Sequence, residues 1–237
     1  MTTERMTESE LRVEICRVGK SLFDRGYVHA TAGNISVRLE DADGGGYLIT
    51  PTDACLGFLD PARIAKLDAN LVQVSGDKAS KTIALHAAIY KASEPYAPQT
   101  RAVIHTHSTA CVALTLAAPP KSSNASPLPE LLPPITPYFV MKVGHVPLVP
   151  YHRPGDPAVA VRVAAMLAHY AKRGIAVRAV MLAKLGPNVW HDSLAEAMAV
   201  LEELEETAKL MQMTTPKPSS LSDEDIADLR KTFNASW

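Results

Sequence analysis

The stretch Ala102-Val-Ile-His-Thr-His-Ser-Thr-Ala110 runs from β-forming residues into two histidines separated by one residue. Alternate residues of a strand point to the same face, so His105 and His107 project together from one side of a sheet edge. Two imidazoles so placed can share one divalent metal ion, or they can simply be the polar end of a strand; what surrounds them must decide. Immediately downstream, Thr109–Ala117 reads as a helix. Upstream, Ser80-Lys-Thr-Ile-Ala-Leu-His-Ala-Ala-Ile-Tyr90 reads as another, capped by Ser80, with Ile83, Ala87 and Tyr90 or Leu85 and Ile89 on its buried faces. Lys81 then falls in the first helical turn, where a cation opposes the helix dipole. A phosphate site would want a cation and free N–H groups at that place; the alternative is a solvated lysine.

Further toward the N-terminus, Leu11, Val13, Ile15, Val18, Leu22 and Phe23 make a helical stripe over Ser9–Arg25, stopped by Gly26. Thr31-Ala-Gly-Asn-Ile-Ser-Val-Arg38 leads from a small-residue turn into an alternating strand. Backbone N–H groups near Gly33 and the Asn34 amide can face an anion there without steric obstruction. Gly44-Gly-Gly46 turns the chain into a returning strand, Tyr47–Thr50, which ends in Thr50-Pro-Thr-Asp53, suited to oxyanion binding or to a plain turn. Asp60 and Pro61 begin a single helical turn, and Ile64–Val74 reads as a second hairpin.

Beyond the histidines, Lys121–Pro129 is a mobile loop rich in Pro and Ser, and Pro133–Val140 is expected to be extended because proline fixes φ and withholds a donor. His145–Val149 is a strand. The loop Pro150-Tyr-His-Arg-Pro-Gly-Asp156 caps the helix Ala158–Lys172. Arg178–Ala183 is a strand apolar on both faces, Lys184–Asn188 a turn and Val189-Trp190 a short strand. Ser193 caps a helix to about Met211, on which Glu202-Glu-Leu-Glu-Glu206 reads as a solvated face. After Thr214–Ser220, Ser222 caps a last helix, Asp223–Phe233.

The composition sets bounds on the whole. With 47% hydrophobic and 21% charged residues, the 237-residue chain has an ordinary globular core, which sets disorder and fibre aside. A formal net charge of −1 leaves no strongly basic surface, so no nucleic-acid partner is expected, although a local anion pocket remains compatible. No apolar run approaches the ~18 residues that a membrane helix needs. Glu4, Arg5, Glu8 and Glu10 break up what would be the apolar centre of a signal peptide, so no membrane partner is expected and the chain reads as cytoplasmic. Cys16, Cys55 and Cys111 stand far apart among apolar neighbours, as buried reduced thiols do.

Taken in order, Thr31–Arg38, Ile49-Thr-Pro-Thr52, the helix holding His86 and Tyr90, and His105-Thr-His107 resemble the class II aldolase/adducin family over roughly residues 9–211, with 212–237 as a C-terminal tail carrying one short helix. Leu59-Asp-Pro-Ala-Arg63, Pro134-Ile-Thr-Pro-Tyr138, Tyr151–Asp156 and Glu202–Ala208 are most similar to a group within it that decarboxylates 3-oxo-tetronate 4-phosphates. The resemblance implies an α/β fold, a three-layer α/β/α sandwich with a mostly antiparallel central sheet. It also implies a homotetramer with active sites between subunits, and a divalent metal, Zn2+, acting on a small phosphorylated sugar acid. By the same resemblance Thr31, Gly33, Asn34, Thr52, Ser80 and Lys81 line a phosphate clamp, and His105 and His107 are metal ligands.

Two positions depart from the family pattern. Its aldolases carry a carboxylate where this chain has Thr82, and take a third histidine ligand where it has Leu185. Catalytic zinc usually has three protein ligands and a water, so a substitute donor is expected, His152 first and His145 and His191 behind it. A decarboxylase needs less acid–base help than an aldolase, because CO2 leaves without prior removal of a proton. Lys81, Tyr138 or a water then protonates the enediolate. The remaining alternatives are a class II sugar-phosphate aldolase and a binding or scaffold protein of the adducin type.

Overall fold

The computed structural model describes residues 6–117 and 128–237. Apart from Leu128 and Pro129, the loop read at Lys121–Pro129 lies outside the described residues.

The chain begins with helix α1 (Glu8–Asp24), where Thr7 and Glu10 cap each other's backbone N–H groups. Strands β1 (Asn34–Arg38), β2 (Tyr47–Ile49), β3 (Ala65–Leu67) and β4 (Gln73–Ser75) follow as successive antiparallel neighbours. Helix α2 (Ile83–Ser93), strand β5 (Ala102–His105) and helix α3 (Thr109–Ala117) form the unit around the histidines. After the undescribed segment come β6 (Leu148–Val149), α4 (Pro157–Ala171), β7 (Ala179–Leu182), β8 (Gly186–His191), α5 (Leu194–Met213) and α6 (Asp223–Phe233). Among the described residues the sheet has eight strands in the order β4-β3-β2-β1-β5-β8-β7-β6. The expectation of a mostly antiparallel sheet is refined to a mixed one: β6 and β7 run parallel, and the other neighbours run antiparallel.

Strand alternation sorts the core into two apolar clusters. Ile35, Val37, Ala102, Ile104, Met181 and Val189 pack with apolar residues of α1, α3 and α5. Val103, Val180, Leu182 and Trp190 pack with Leu85, Ile89 and Tyr90 of α2 and Val159, Val163 and Leu167 of α4. Each fully buried side chain of this size contributes ~1.5–3 kcal/mol. Because Val103 faces α2 and α4, His105, two residues on, faces the same way.

Asp60, Asp156, Ser193 and Ser222 cap where the sequence places them, each side-chain oxygen accepting a backbone N–H. Five expectations change. Helix α2 starts at Ile83 rather than Ser80; Thr82 is its N-cap residue without a side-chain cap bond, and Ser80 Oγ instead meets Thr82 Oγ1 at 3.1 Å. Lys81 therefore lies just before the helix, not in its first turn. Pro133–Val140 is not extended throughout: Thr136 Oγ1 accepts the Phe139 N–H at 3.1 Å, and the chain coils through Pro137 and Tyr138 into a π-helical turn, Phe139–Val143. A side-chain cap followed by proline starts a helix, and here it outweighs proline's preference for extended chain. The strand read at His145–Val149 shortens to Leu148–Val149, and that at Val189-Trp190 lengthens to Gly186–His191. Finally, Glu205 is not on a solvated face. Only 2% exposed, its carboxylate accepts the backbone N–H groups of Ala110 and Cys111 at 3.0 Å each, satisfying orphan donors in the first turn of α3.

The C-terminal tail folds back over the π-helical turn. Trp237 stacks on His145 with ring centroids 4.3 Å apart, and Ser236 Oγ accepts the Ala176 N–H at 2.9 Å.

Candidate functional site

Strand register places Asn34 of β1 and Asn188 of β8 on either side of His105. These three polar residues, all buried, form one row across adjacent strands at the end of the sheet. Two glycines make the approach possible. At Gly33 (φ +86°) a Cβ would lie 2.9 Å from the His105 carbonyl oxygen, and at Gly186 (φ +119°) 2.3 Å from that of Thr106. The loops before β1 and between β7 and β8 are thereby pressed against the histidine-bearing end of β5.

His105 Nδ1 donates to the Pro187 carbonyl at 2.8 Å, which fixes the tautomer and leaves Nε2 as a bare lone pair. Burial and then the neighbouring His107 lower its pKa from 6.5 to about 4; burial and then His29 lower that of His107. Both imidazoles are thus neutral at pH 7, the state in which they bind metals. Their ring centroids lie 5.0 Å apart at an interplanar angle of 66°. Two imidazoles on one zinc at about 2.0–2.1 Å bring their centroids to ~5 Å, so the pair as it stands fits two ligand positions of a divalent metal.

One residue pair deeper, a buried chain of hydrogen bonds supports this row. Tyr90 OH donates to the Ser36 carbonyl at 3.0 Å, Ser36 Oγ meets Tyr90 Oη at 2.8 Å, and His86 Nδ1 meets Ser36 Oγ at 2.7 Å. Since the tyrosine proton is committed to the carbonyl, Ser36 donates to Tyr90 and His86 Nδ1 donates to Ser36. His86 Nε2 remains a bare acceptor, buried and without a partner, as are Asn34 Oδ1 and Asn188 Oδ1. Burial, followed by His105, lowers the His86 pKa to about 3.

A cleft of about 350 Å³ opens over this row, lined by Thr31, Gly33, Asn34, Thr52, Ser80, Lys81, His105 and His107. The residues assigned to an anion clamp and the two histidines therefore meet in one hollow. Thr82, Leu185 and Arg153 line it as well. Asn34 Nδ2 donates to Thr82 Oγ1 at 3.3 Å, which orients the amide.

Two candidates are placed elsewhere. His152 stands 3.6 Å from Asp156, the cap residue of α4, and is not part of the cleft wall, although its neighbours Arg153 and Asp156 are. Tyr138, 60% exposed, also lies outside the wall. Of the other histidines considered, His145 is tied to Glu130 at 2.6 Å. His191 belongs, with Asp192 and Glu196, to the one trio of donors among the described residues whose ligand atoms already lie within 4.8 Å of one another. Arg178 lies 3.3 Å from Asp192 and supplies that cluster's cation. His191 also borders a larger hollow of about 790 Å³, beneath the C-terminal tail and at the other end of β8 from Asn188.

The sequence reading missed Asn188, Arg153 and His29. Nothing in the sequence marks Asn188 except its position three residues after Leu185. His29, two residues before Thr31, lies with its ring centroid 6.4 Å from that of His107.

A sequence model described as "Class II Aldolase and Adducin N-terminal domain" matches residues 13–212. A protein of Cupriavidus necator named 3-oxo-tetronate 4-phosphate decarboxylase is 52% identical over 236 residues, covering 98% of this chain and 99% of its own. An Escherichia coli K12 protein of the same name is 43% identical, with 94% and 96% covered. Among solved structures, YgbL of Escherichia coli superposes with a TM-score of 0.79 at 41% identity, covering 94% of this chain and 99% of that one. An L-fuculose 1-phosphate aldolase reaches 0.77 at 24% identity, with 97% and 98% covered, a likeness of fold.

Proposed function

Because the chain belongs to the class II aldolase and adducin family, we propose that it is a metal-dependent carboxy-lyase converting a 3-oxo-tetronate 4-phosphate into dihydroxyacetone phosphate and CO2. One observation carries this reading: the anion clamp and the histidine pair line the same cleft.

The substrate's phosphate sits in the clamp formed by Thr31, Gly33, Asn34, Thr52, Ser80 and Lys81, where backbone N–H groups, an amide and a cation converge on an anion. Its carboxylate, a second negative charge, faces Arg153. Breaking the C1–C2 bond releases CO2 and leaves an electron pair on C2, delocalised onto the C3 oxygen as an enediolate. The divalent metal, Zn2+ in this reading, is held by His105 and His107 and supplies Lewis-acid stabilisation of that charge. In this reading Lys81, which lines the cleft, delivers the proton that C2 then takes. Thr82 agrees with this chemistry better than with an aldol reaction, since decarboxylation requires no base to strip a substrate hydroxyl.

The reading includes a three-layer sandwich, a cytoplasmic location and a homotetramer in which the exposed Tyr138 serves a neighbouring cleft. Supporting it, apolar clusters flank the sheet, the described cysteines are free thiols, and no described helix is long and apolar enough to cross a membrane.

Incubating the full chain with 3-oxo-tetronate 4-phosphate and each of zinc, manganese and magnesium tests the proposal. Stoichiometric CO2 and dihydroxyacetone phosphate are expected. Absence of turnover with all three metals overturns it in favour of a binding protein.

A further inference from the structure

We propose that the hollow of about 790 Å³ beneath the C-terminal tail binds an organic anion of nucleotide size that carries two or more phosphate groups. The hollow shares no lining residue with the cleft over His105, so this site is independent of the reaction assigned there.

Five cations line the hollow, Lys142, Arg173, Arg178, Arg230 and Lys231, and no aspartate or glutamate does. Over the whole chain 24 Lys and Arg balance 25 Asp and Glu, so this concentration of one sign is not the average surface. The five come from four separate parts of the chain: the π-helical turn, the turn after α4, the residue before β7 and the last turn of α6. Helix dipoles account for some of them singly, since cations stabilise the C-terminal ends of α4 and α6. They give no reason for the tertiary packing to bring all five around one concavity. Arg178 is paired, lying 3.3 Å from Asp192. Among the described residues the side chains of the other four take part in no ion pair or hydrogen bond. Even with the carboxylate that ends the chain at Trp237 set against them, the balance stays positive. Like charges around a hollow repel one another and focus a positive potential there, and Arg and Lys donors match phosphate oxygens. The volume falls within the ~300–1,000 Å³ of small-molecule sites, more than a lone phosphate fills, and Met141 and Ile175 add apolar wall for the rest of the ligand. The hollow is also held open in advance: Ser236 Oγ accepts the Ala176 N–H at 2.9 Å and donates to its carbonyl at 3.2 Å, while Trp237 stacks on His145.

The test is isothermal titration calorimetry of the full chain with ATP as the probe, which needs no turnover and so stands or falls apart from the proposed reaction. One molecule of ATP per chain is expected to bind, and adenosine, which lacks the phosphates, is not. Replacing Arg230 and Lys231 together by alanine should weaken ATP binding at least tenfold, and Lys142→Ala should weaken it too. Arg230, Lys231 and Lys142 are exposed, so these variants should keep the urea midpoint of the unmodified chain. His105→Ala, which alters the other cleft and its histidine pair, should bind ATP within twofold of the unmodified chain. The site is overturned if ATP does not bind at millimolar concentration, if adenosine binds equally well, or if the Arg230→Ala, Lys231→Ala double variant binds ATP within twofold of the unmodified chain. It is equally overturned if His105→Ala, and not the double variant, loses the binding, for the anion then sits in the cleft already described.

Discussion

His105 and His145 are both largely shielded histidines at the edge of the apolar core, yet their surroundings differ in kind. Around His145 the partners are complete: Nδ1 faces Glu130 at 2.6 Å, Glu130 also accepts from Tyr170 at 2.8 Å, and Trp237 stacks on the ring. Around His105 they are not, since Asn34 Oδ1, Asn188 Oδ1 and His86 Nε2 are buried acceptors with no partner. A buried unpaired polar atom costs about 1–3 kcal/mol, a cost that the His145 end does not carry. The saturated end is built to hold the tail in place. At the unsaturated end, Asn34 and His105 line the cleft.

Substitutions at the two ends should therefore separate activity from stability. The largest effect is expected for His105→Ala, which should lower kcat/KM by more than the roughly 100-fold cost of losing an outer-shell metal partner, with the urea midpoint little changed. A parallel fall in both would make His105 a structural residue like His145. Next, Asn34→Leu should raise KM for the phosphorylated substrate by about tenfold or more, the equivalent of one hydrogen bond to a charged group. Equal losses of binding and folding stability would reduce Asn34 to a turn residue. At the other end, Trp237→Ala should cost about 1–2 kcal/mol of stability by uncovering His145 and Phe139, and leave kcat within twofold. A large loss of turnover there would show that the tail is part of the site.

The smallest effect is a slope. The folded state depresses the pKa of His86 to about 3 and of His105 to about 4, so on unfolding each takes up a proton that the native state excludes. Their stabilising contribution is whole above 6.5, the ordinary value, and is lost as pH falls from there toward about 4 for His105 and about 3 for His86. Each histidine adds ~1.4 kcal/mol per pH unit in that window. His86→Gln should remove one proton from the slope of unfolding free energy between pH 6 and 5, measured in urea; unchanged slopes would mean that His86 is not buried neutral.

Much of the site is local in sequence and was legible there. Thr31, Gly33 and Asn34 occupy one turn, Ser80 and Lys81 another, and His105 and His107 sit at a spacing that strand geometry translates directly into a shared direction. The caps at Asp60, Asp156, Ser193 and Ser222 were readable for the same reason: donor and acceptor are two or three residues apart. The misreadings came from contacts, near and far, that compete with the local pattern. Glu205 lies in a charged run that any local reading assigns to solvent, but it pairs with N–H groups 94 and 95 residues away. Ser80 matches the pattern of a cap, yet its hydroxyl is diverted to Thr82, which Asn34 also engages.

The sequence by itself determined the family and the strand that carries the histidines, because short-range geometry and residue chemistry suffice for each. Only the tertiary structure decided that the residues assigned to the clamp and the two histidines share one cleft, that His152 and Tyr138 lie outside its wall, and that His29 stands beside His107 while Leu185 lines the cleft. Those outcomes depend on strand register and on two glycines that let separate loops close on β5. Register is settled by packing across the whole sheet, which no local stretch of the chain records.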